Sequence, residues 1–271
     1  MRITVLTDNH TYIDKYYLGE PAVSYYIEID GIKILFDTGY SDVFLRNGRD
    51  MGIDFTALDY VVISHGHNDH TGGIPLLLQE LDRNSAKRAL IAHPDIFAER
   101  YAEGINISPK VAVEEVQQYF TLKLTQEPIQ LTPHLYFLGA VPRRNDFEAK
   151  DAVGIRRTQV GDVEDFVVDD SALVYKGEKG IYIITGCSHA GICNITEYAK
   201  EVTEEEQVLG ILGGFHLFEM NQQAEKTIEY LKQLKIPSLY PCHCTSLRLK
   251  AEMMKNMQVE EAGVGLVLEW V

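Results

Sequence analysis

Two stretches of the chain alternate or run apolar and then turn back on themselves. Val23-Ser24-Tyr25-Tyr26-Ile27-Glu28-Ile29 turns at Asp30-Gly31 into Ile32-Lys33-Ile34-Leu35-Phe36. Later, Ala172-Leu173-Val174-Tyr175 turns through residues 177–180 into Ile181-Tyr182-Ile183-Ile184. β-Branched and aromatic side chains flanking glycine turns predict two β-hairpins. Further strands are expected at the N-terminus and over residues 60–64 and 236–241. Helices are predicted after Gly73 and over 94–101, 195–201, 222–235 and 246–257. The clearest has Ala224, Ile228, Leu231 and Leu234 at a spacing that makes one apolar stripe for packing on a sheet. Strands and helices with few long linkers indicate an α/β architecture. Residues 106–161 hold Pro109, Pro128, Pro133 and Pro142 and are the least regular part, either a cap or a string of loops and strands. A single domain over residues 1–271 is the expectation.

Composition narrows the class. The formal net charge of −15 opposes attraction to a polyanionic backbone, so no large nucleic acid is expected as partner. No apolar run is long enough to span a membrane, and the chain opens directly as a strand, which makes the cytoplasm the expected location. Cys187, Cys193, Cys242 and Cys244 crowd into the second half beside histidines, a distribution that suits reduced thiols better than a disulfide scaffold. A homodimer is expected only as the commonest assembly.

The chemistry concentrates in His65-Gly66-His67-Asn68-Asp69-His70, directly after a strand-like run. Residues two apart in extended chain point the same way, so His65 and His67 can hold one ion while Asp69 and His70 reach its far side. Packed together without a cation, these groups would repel protons and lose solvation. Two basic pairs, Arg143-Arg144 and Arg156-Arg157, are candidates for recognising an anionic small-molecule substrate, and Asp8-Asn9-His10, Asp8 above all, is a candidate for the mouth of the site.

The His-x-His-x-Asp-His spacing of residues 65–70 resembles the signature of the metallo-β-lactamase-fold hydrolases, and Phe36-Asp37-Thr38-Gly39 resembles that family's first motif. Residues 186–191 (Gly-Cys-Ser-His-Ala-Gly), 213–217 (Gly-Gly-Phe-His-Leu) and 241–245 (Pro-Cys-His-Cys-Thr) are similar to a subgroup of metal-dependent hydrolases related to an archaeal dihydropterin-phosphate synthase. The resemblance implies an αββα four-layer sandwich carrying two divalent ions, zinc first, with manganese or iron as alternatives. It implies His65, His67 and His189 as ligands of one ion, and Asp69, His70 and His243 of the other. The family's bridging aspartate has no counterpart in Thr185-Gly186-Cys187-Ser188-His189, which leaves Cys187 or His216 to supply a donor, or Cys187 merely to pack. Asp37 is expected to orient a motif histidine without itself ligating. The implied activity is hydrolysis by metal-activated water, with Asp69 and His216 as catalytic residues, on a small phosphoester or cyclic phosphate, a pterin-related one among the candidates. A carboxylic-ester, lactone or thioester hydrolase and a non-catalytic small-molecule binder are the alternatives.

Overall fold

The computed structural model describes residues 1–83 and 88–271. A seven-stranded sheet runs in the order Val267–Glu269, Arg2–Thr7, Ser24–Ile29, Ile32–Phe36, Tyr60–Val62, Arg88–Ala92, Phe120–Leu124. Its first pairings are antiparallel, and from Ile32–Phe36 onward they are parallel. A six-stranded sheet follows the order Ser238–Pro241, Val208–Gly213, Ile181–Thr185, Ala172–Lys176, Leu135–Phe137, Ile129–Gln130. Its first three strands are parallel.

Both predicted hairpins form. In the first, Glu28 faces Lys33 and Tyr25 faces Phe36. The turn residues Asp30 and Gly31 both adopt positive φ (54° and 79°), the conformation a tight two-residue hairpin turn demands and that Asp-Gly accepts at low cost. In the second, Ala172 faces Thr185 and Lys176 faces Ile181.

Three apolar clusters separate the layers. Tyr25, Ile27, Ile34 and Phe36 from the first sheet meet Leu173, Ile184 and Leu212 from the second. The opposite faces of the same strands, Tyr26 and Leu35, pack on Phe44, Leu45, Leu77 and Leu78 from helices Val43–Asp50 and Ile74–Glu80. This period-two switch is why a strand with both faces covered reads as nearly continuous apolar sequence. On the far side, helices Ile192–Thr203, Gln222–Leu234 and Leu247–Met254 cover the second sheet. The stripe Ala224, Ile228 and Leu231 is buried there, with Leu234 partly buried. Truncating the fully buried Leu231 to Ala would cost about 2–5 kcal/mol. The result is a four-layer αββα sandwich.

The region over 94–101 departs from the helix predicted for it. Pro94–Phe97 makes only a 3-10 turn, and Arg100–Ala102 is a strand. That strand joins Gly154–Thr158, Gly161–Asp165 and Ile105–Asn106 in a small third sheet, and Arg100 is fully buried there. Tertiary pairing, invisible to local periodicity, overrides the helical pattern. Within 106–161, Phe120–Leu124 forms the edge of the first sheet and Ile129–Gln130 and Leu135–Phe137 extend the second, so much of that stretch belongs to the sandwich. Among the described residues no helix is long and apolar enough to cross a membrane.

Candidate metal centre

Parallel strands from both sheets end at one face, and the functional side chains follow those ends. Asp37 follows Ile32–Phe36, His65 follows Tyr60–Val62, and His189, His216 and His243 follow the three parallel strands of the second sheet. Ligand sites in α/β folds commonly gather at the carboxyl ends of parallel strands. Asp37, Ser188, His216 and His243 all hold the left-handed backbone conformation, at φ 57°, 60°, 50° and 47°. Strain of this kind persists where surrounding structure fixes it. Gly186 must be glycine here, because a Cβ would lie 2.3 Å from Ser64 Oγ and 2.9 Å from Asp37 Oδ2.

His65, His67 and His189 form one donor group, and Asp69, His70, Cys187 and His243 form a second; within each, the donor atoms lie within 4.8 Å of one another. His65, His67, His70 and His189 are buried, while Asp69 and His243 are half-buried. Among the described residues five ring nitrogens are buried without a hydrogen-bond partner: His65 Nε2, His67 Nε2, both of His189 and His243 Nε2. Such orphaned atoms ordinarily cost about 1–3 kcal/mol each, so their convergence fits a bound divalent cation.

Neighbouring groups fix the histidine tautomers. Ser64 Oγ donates its proton to Asp37 Oδ2 at 2.7 Å, so it accepts from His65 Nδ1 at 2.9 Å. That leaves His65 Nε2 as a bare lone pair. Asp37 also accepts from His70 Nδ1 at 2.7 Å, and its other oxygen accepts from the Ser64 N–H. His243 Nδ1 donates to Asn9 Oδ1 at 2.9 Å, again freeing Nε2. Burial pushes His65 and His189 well below the ordinary imidazole range and His67 down to about 3. His70 differs: burial lowers it, but Asp69 and Asp37 outweigh that and hold it at about 9. Asp69 is pushed up by burial, yet His70 and His243 overcome this and hold it below the usual carboxylate range. An ion in the second group therefore has to displace a proton from His70.

Cys187 Sγ lies 3.2 Å from His70 Nε2, which puts it among the donors of the second group at the place where the expected acid is missing. His216 belongs to neither group; its ring centroid is 4.3 Å from that of His189 and 4.9 Å from that of Phe218. Burial pushes His216 down to about 4. Above the donors opens a cavity of about 450 Å³ lined by Tyr40, Ile107, Val153 and Phe218 together with Asn9 and Asp69. A second cavity of about 440 Å³, lined by Lys150, Asp151 and Asn221, meets it at His189, His216, Val153 and Phe218.

Several expected substrate contacts lie elsewhere. Asp8 is fully buried, and its two oxygens accept from the backbone N–H groups of His10 and His243, each at 2.9 Å. It holds the His243 loop, and its neighbour Asn9 faces the cavity. Arg143 donates to the carbonyls of Phe166 and Val167, and Arg144 pairs with Glu201. Arg156 pairs with Asp95, and Arg157 with Glu99 and Asp162. None of these four lines either cavity, and each is satisfied instead by acidic or carbonyl partners elsewhere. Sequence reasoning did not single out Tyr40, Phe218 or the buried Arg100; the exposed aromatics carry no local pattern. Asp169 and Asp170, directly ahead of the second hairpin, lie outside both donor groups. Asp169 accepts from the Gly66 N–H and Asp170 from the Ala190 N–H.

The metallo-beta-lactamase superfamily pattern matches residues 18–243. An uncharacterised protein of Methanocaldococcus jannaschii is 31% identical, over 98% of this chain and 99% of its own length. The 7,8-dihydropterin-6-methyl-4-(beta-D-ribofuranosyl)-aminobenzene-5'-phosphate synthase of the same organism is also 31% identical, over 96% of this chain and 91% of its own. A solved metal-dependent hydrolase of the beta-lactamase superfamily superposes with a TM-score of 0.84 at 29% identity, covering 100% of this chain and 99% of that one.

Proposed function

This chain belongs to the metallo-β-lactamase superfamily, and from that premise we propose that it is a binuclear metal-dependent hydrolase of a small anionic phosphoester or cyclic phosphate with a flat apolar body. The observation that carries the reading is the pair of donor groups, with five unpartnered ring nitrogens, opening onto one cavity. His65, His67 and His189 would hold one ion; Asp69, His70, Cys187 and His243 would hold the other. Imidazole and thiolate donors favour zinc over harder ions, with iron or manganese as alternatives. Divalent ions at such sites supply Lewis acidity and lower the pKa of bound water toward neutrality.

The chain's own groups do the rest. Asp69, at the cavity wall with an oxygen 3.3 Å from His243 Nε2, orients the attacking water by accepting a hydrogen bond from it. His216, neutral and facing both cavities, hydrogen-bonds the charge that develops on the substrate. Tyr40, Ile107, Val153 and Phe218 bind the apolar body and exclude water, while Lys150 in the adjoining cavity meets an anionic group. The phosphoester choice is supported by the named phosphate-bearing product of the archaeal relative and by Lys150; the arginine pairs lend it nothing.

The test is a panel of aryl phosphodiesters, cyclic phosphates, lactones and thioesters with zinc- or manganese-loaded protein. Turnover confined to the phosphate substrates is expected. Turnover of lactones or thioesters alone would overturn the substrate class. Metal uptake with tight retention of unaltered ligands and no turnover would replace the hydrolase with a binding protein.

A further inference from the structure

Arg100 is the largest of the fully buried side chains, and its position raises the question of what holds a guanidinium in the interior. Taking such an ion out of water costs several kcal/mol unless partners compensate. Its partners are Asp169 Oδ1, 2.7 Å from Nη2, and Asp165 Oδ2, 2.9 Å from Nε, with the Asp95 carbonyl at 3.3 Å. Asp165 and Arg100 both belong to the small third sheet.

The other oxygen of Asp169 accepts from the Gly66 N–H at 2.8 Å. Gly66 is the residue between His65 and His67. A Cβ there would stand 2.0 Å from Arg100 Nη1 and 2.4 Å from the Ile96 carbonyl, so a glycine is what lets the guanidinium press against this loop. The next acid in the chain reaches the third histidine of the group. Asp170 Oδ2 accepts from the Ala190 N–H at 2.8 Å, and its unpartnered Oδ1 lies 3.9 Å from His65 Nδ1. Consecutive carboxylates thus hold the two loops that carry all three histidines, and Arg100 anchors the first of them to the third sheet.

We propose that Arg100 and Asp169 are positioning residues for the His65, His67 and His189 group, so that its affinity and coordination geometry depend on an ion pair planted in the third sheet. The inference rests on the reading of those histidines as metal ligands. The backbone N–H of Gly66 has its acceptor in Asp169, and Asp169 keeps its orientation through Arg100. Loss of either lets the His65–His67 segment relax, because hydrogen bonds to charged acceptors are the stronger and more directional kind. Groups that orient ligands typically contribute 10–100-fold in metal affinity.

The experiment titrates metal-free protein with cobalt(II), following the visible absorption bands, and measures affinity by competition with a chelator. Arg100→Lys and the isosteric Asp169→Asn are compared with Arg157→Lys, a paired surface residue of the same sheet. Folding of each is checked by thermal melting of the metal-free form. Expected is about a 10–100-fold loss in affinity for the first cobalt equivalent in both test variants, with shifted or weakened bands, and no change in the control. Should Arg100→Lys fail to fold, Asp169→Asn, which keeps the side-chain size and an acceptor oxygen, carries the same expectation. Lowered melting temperature with unchanged affinity and unchanged bands would reduce the pair to a structural role and overturn the inference. A wild-type protein that takes up no cobalt would instead overturn the metal reading on which it stands.

Discussion

The two donor groups lie side by side yet are finished to different degrees. In the first, three buried imidazoles converge with four unpartnered nitrogens, and nothing among the described residues satisfies them. In the second, His70 is already partnered, its Nε2 lying 3.2 Å from Cys187 Sγ and 3.6 Å from Asp69, and one nitrogen, His243 Nε2, is left without a hydrogen bond. A cation entering the first group removes a desolvation cost, whereas one entering the second must replace contacts that exist without it. The first group should therefore fill first and hold its ion more tightly, with the second as the exchangeable position nearer solvent.

The sharpest way to break this contrast is to disable the first group. His67→Ala should abolish the tight equivalent and lower turnover by about 10³-fold or more, since metal stabilisation of a transition state is worth several kcal/mol. Elemental analysis and steady-state kinetics check this, with circular dichroism verifying the fold. Cys187→Ala should act on the other side, weakening the second equivalent while leaving the first unchanged in a chelator competition. Asp37→Asn removes the carboxylate that fixes His70 directly and His65 through Ser64, so a loss of about 10–100-fold in the second equivalent with a smaller loss in the first is expected on the same measurement. Phe218→Ala touches neither group. It should raise KM for aryl substrates several-fold and leave kcat and metal content unchanged, by lost apolar contact of about 1–2 kcal/mol.

The smallest effect is a baseline outside both groups. His93 Nδ1 accepts from the Asp95 N–H at 3.0 Å, which requires a neutral ring, and burial pulls His93 below its ordinary 6.5. A depressed folded-state pKa means that the unfolded chain takes up the proton first. The stability is then complete above pH 6.5 and drains as the pH falls below it. Replacement by Asn, which can also accept from that N–H, should flatten the melting temperature of the metal-free protein between pH 7 and 5 relative to wild type.

The same contrast explains what the sequence revealed. The first motif was legible because its chemistry is local: the spacing of His65, His67, Asp69 and His70 places donors together whatever the rest of the chain does. The hairpins were legible for the same reason, through a period-two pattern and turn residues. The role of Cys187 stayed open because it depends on His70, 117 residues away. Arg100 gave no signal at all, since its partner Asp169 is 69 residues distant and the stretch around it reads as helical. The helix Val43–Asp50 went unread because Val43, Phe44 and Leu45 form one contiguous apolar run, without the i, i+3, i+4 recurrence that marks an amphipathic helix. Arg143, Arg144, Arg156 and Arg157 look free in sequence and are committed in space to nearby carbonyls and carboxylates.

One measurement tests the inequality of the two groups most directly: calorimetric titration of metal-free protein with zinc, in wild type, His67→Ala and Cys187→Ala. Two equivalents of distinct affinity should appear, the tighter one missing from His67→Ala and the weaker one diminished in Cys187→Ala. Two equivalents of equal affinity, or loss of the tighter one from Cys187→Ala while His67→Ala retains it, would contradict the account.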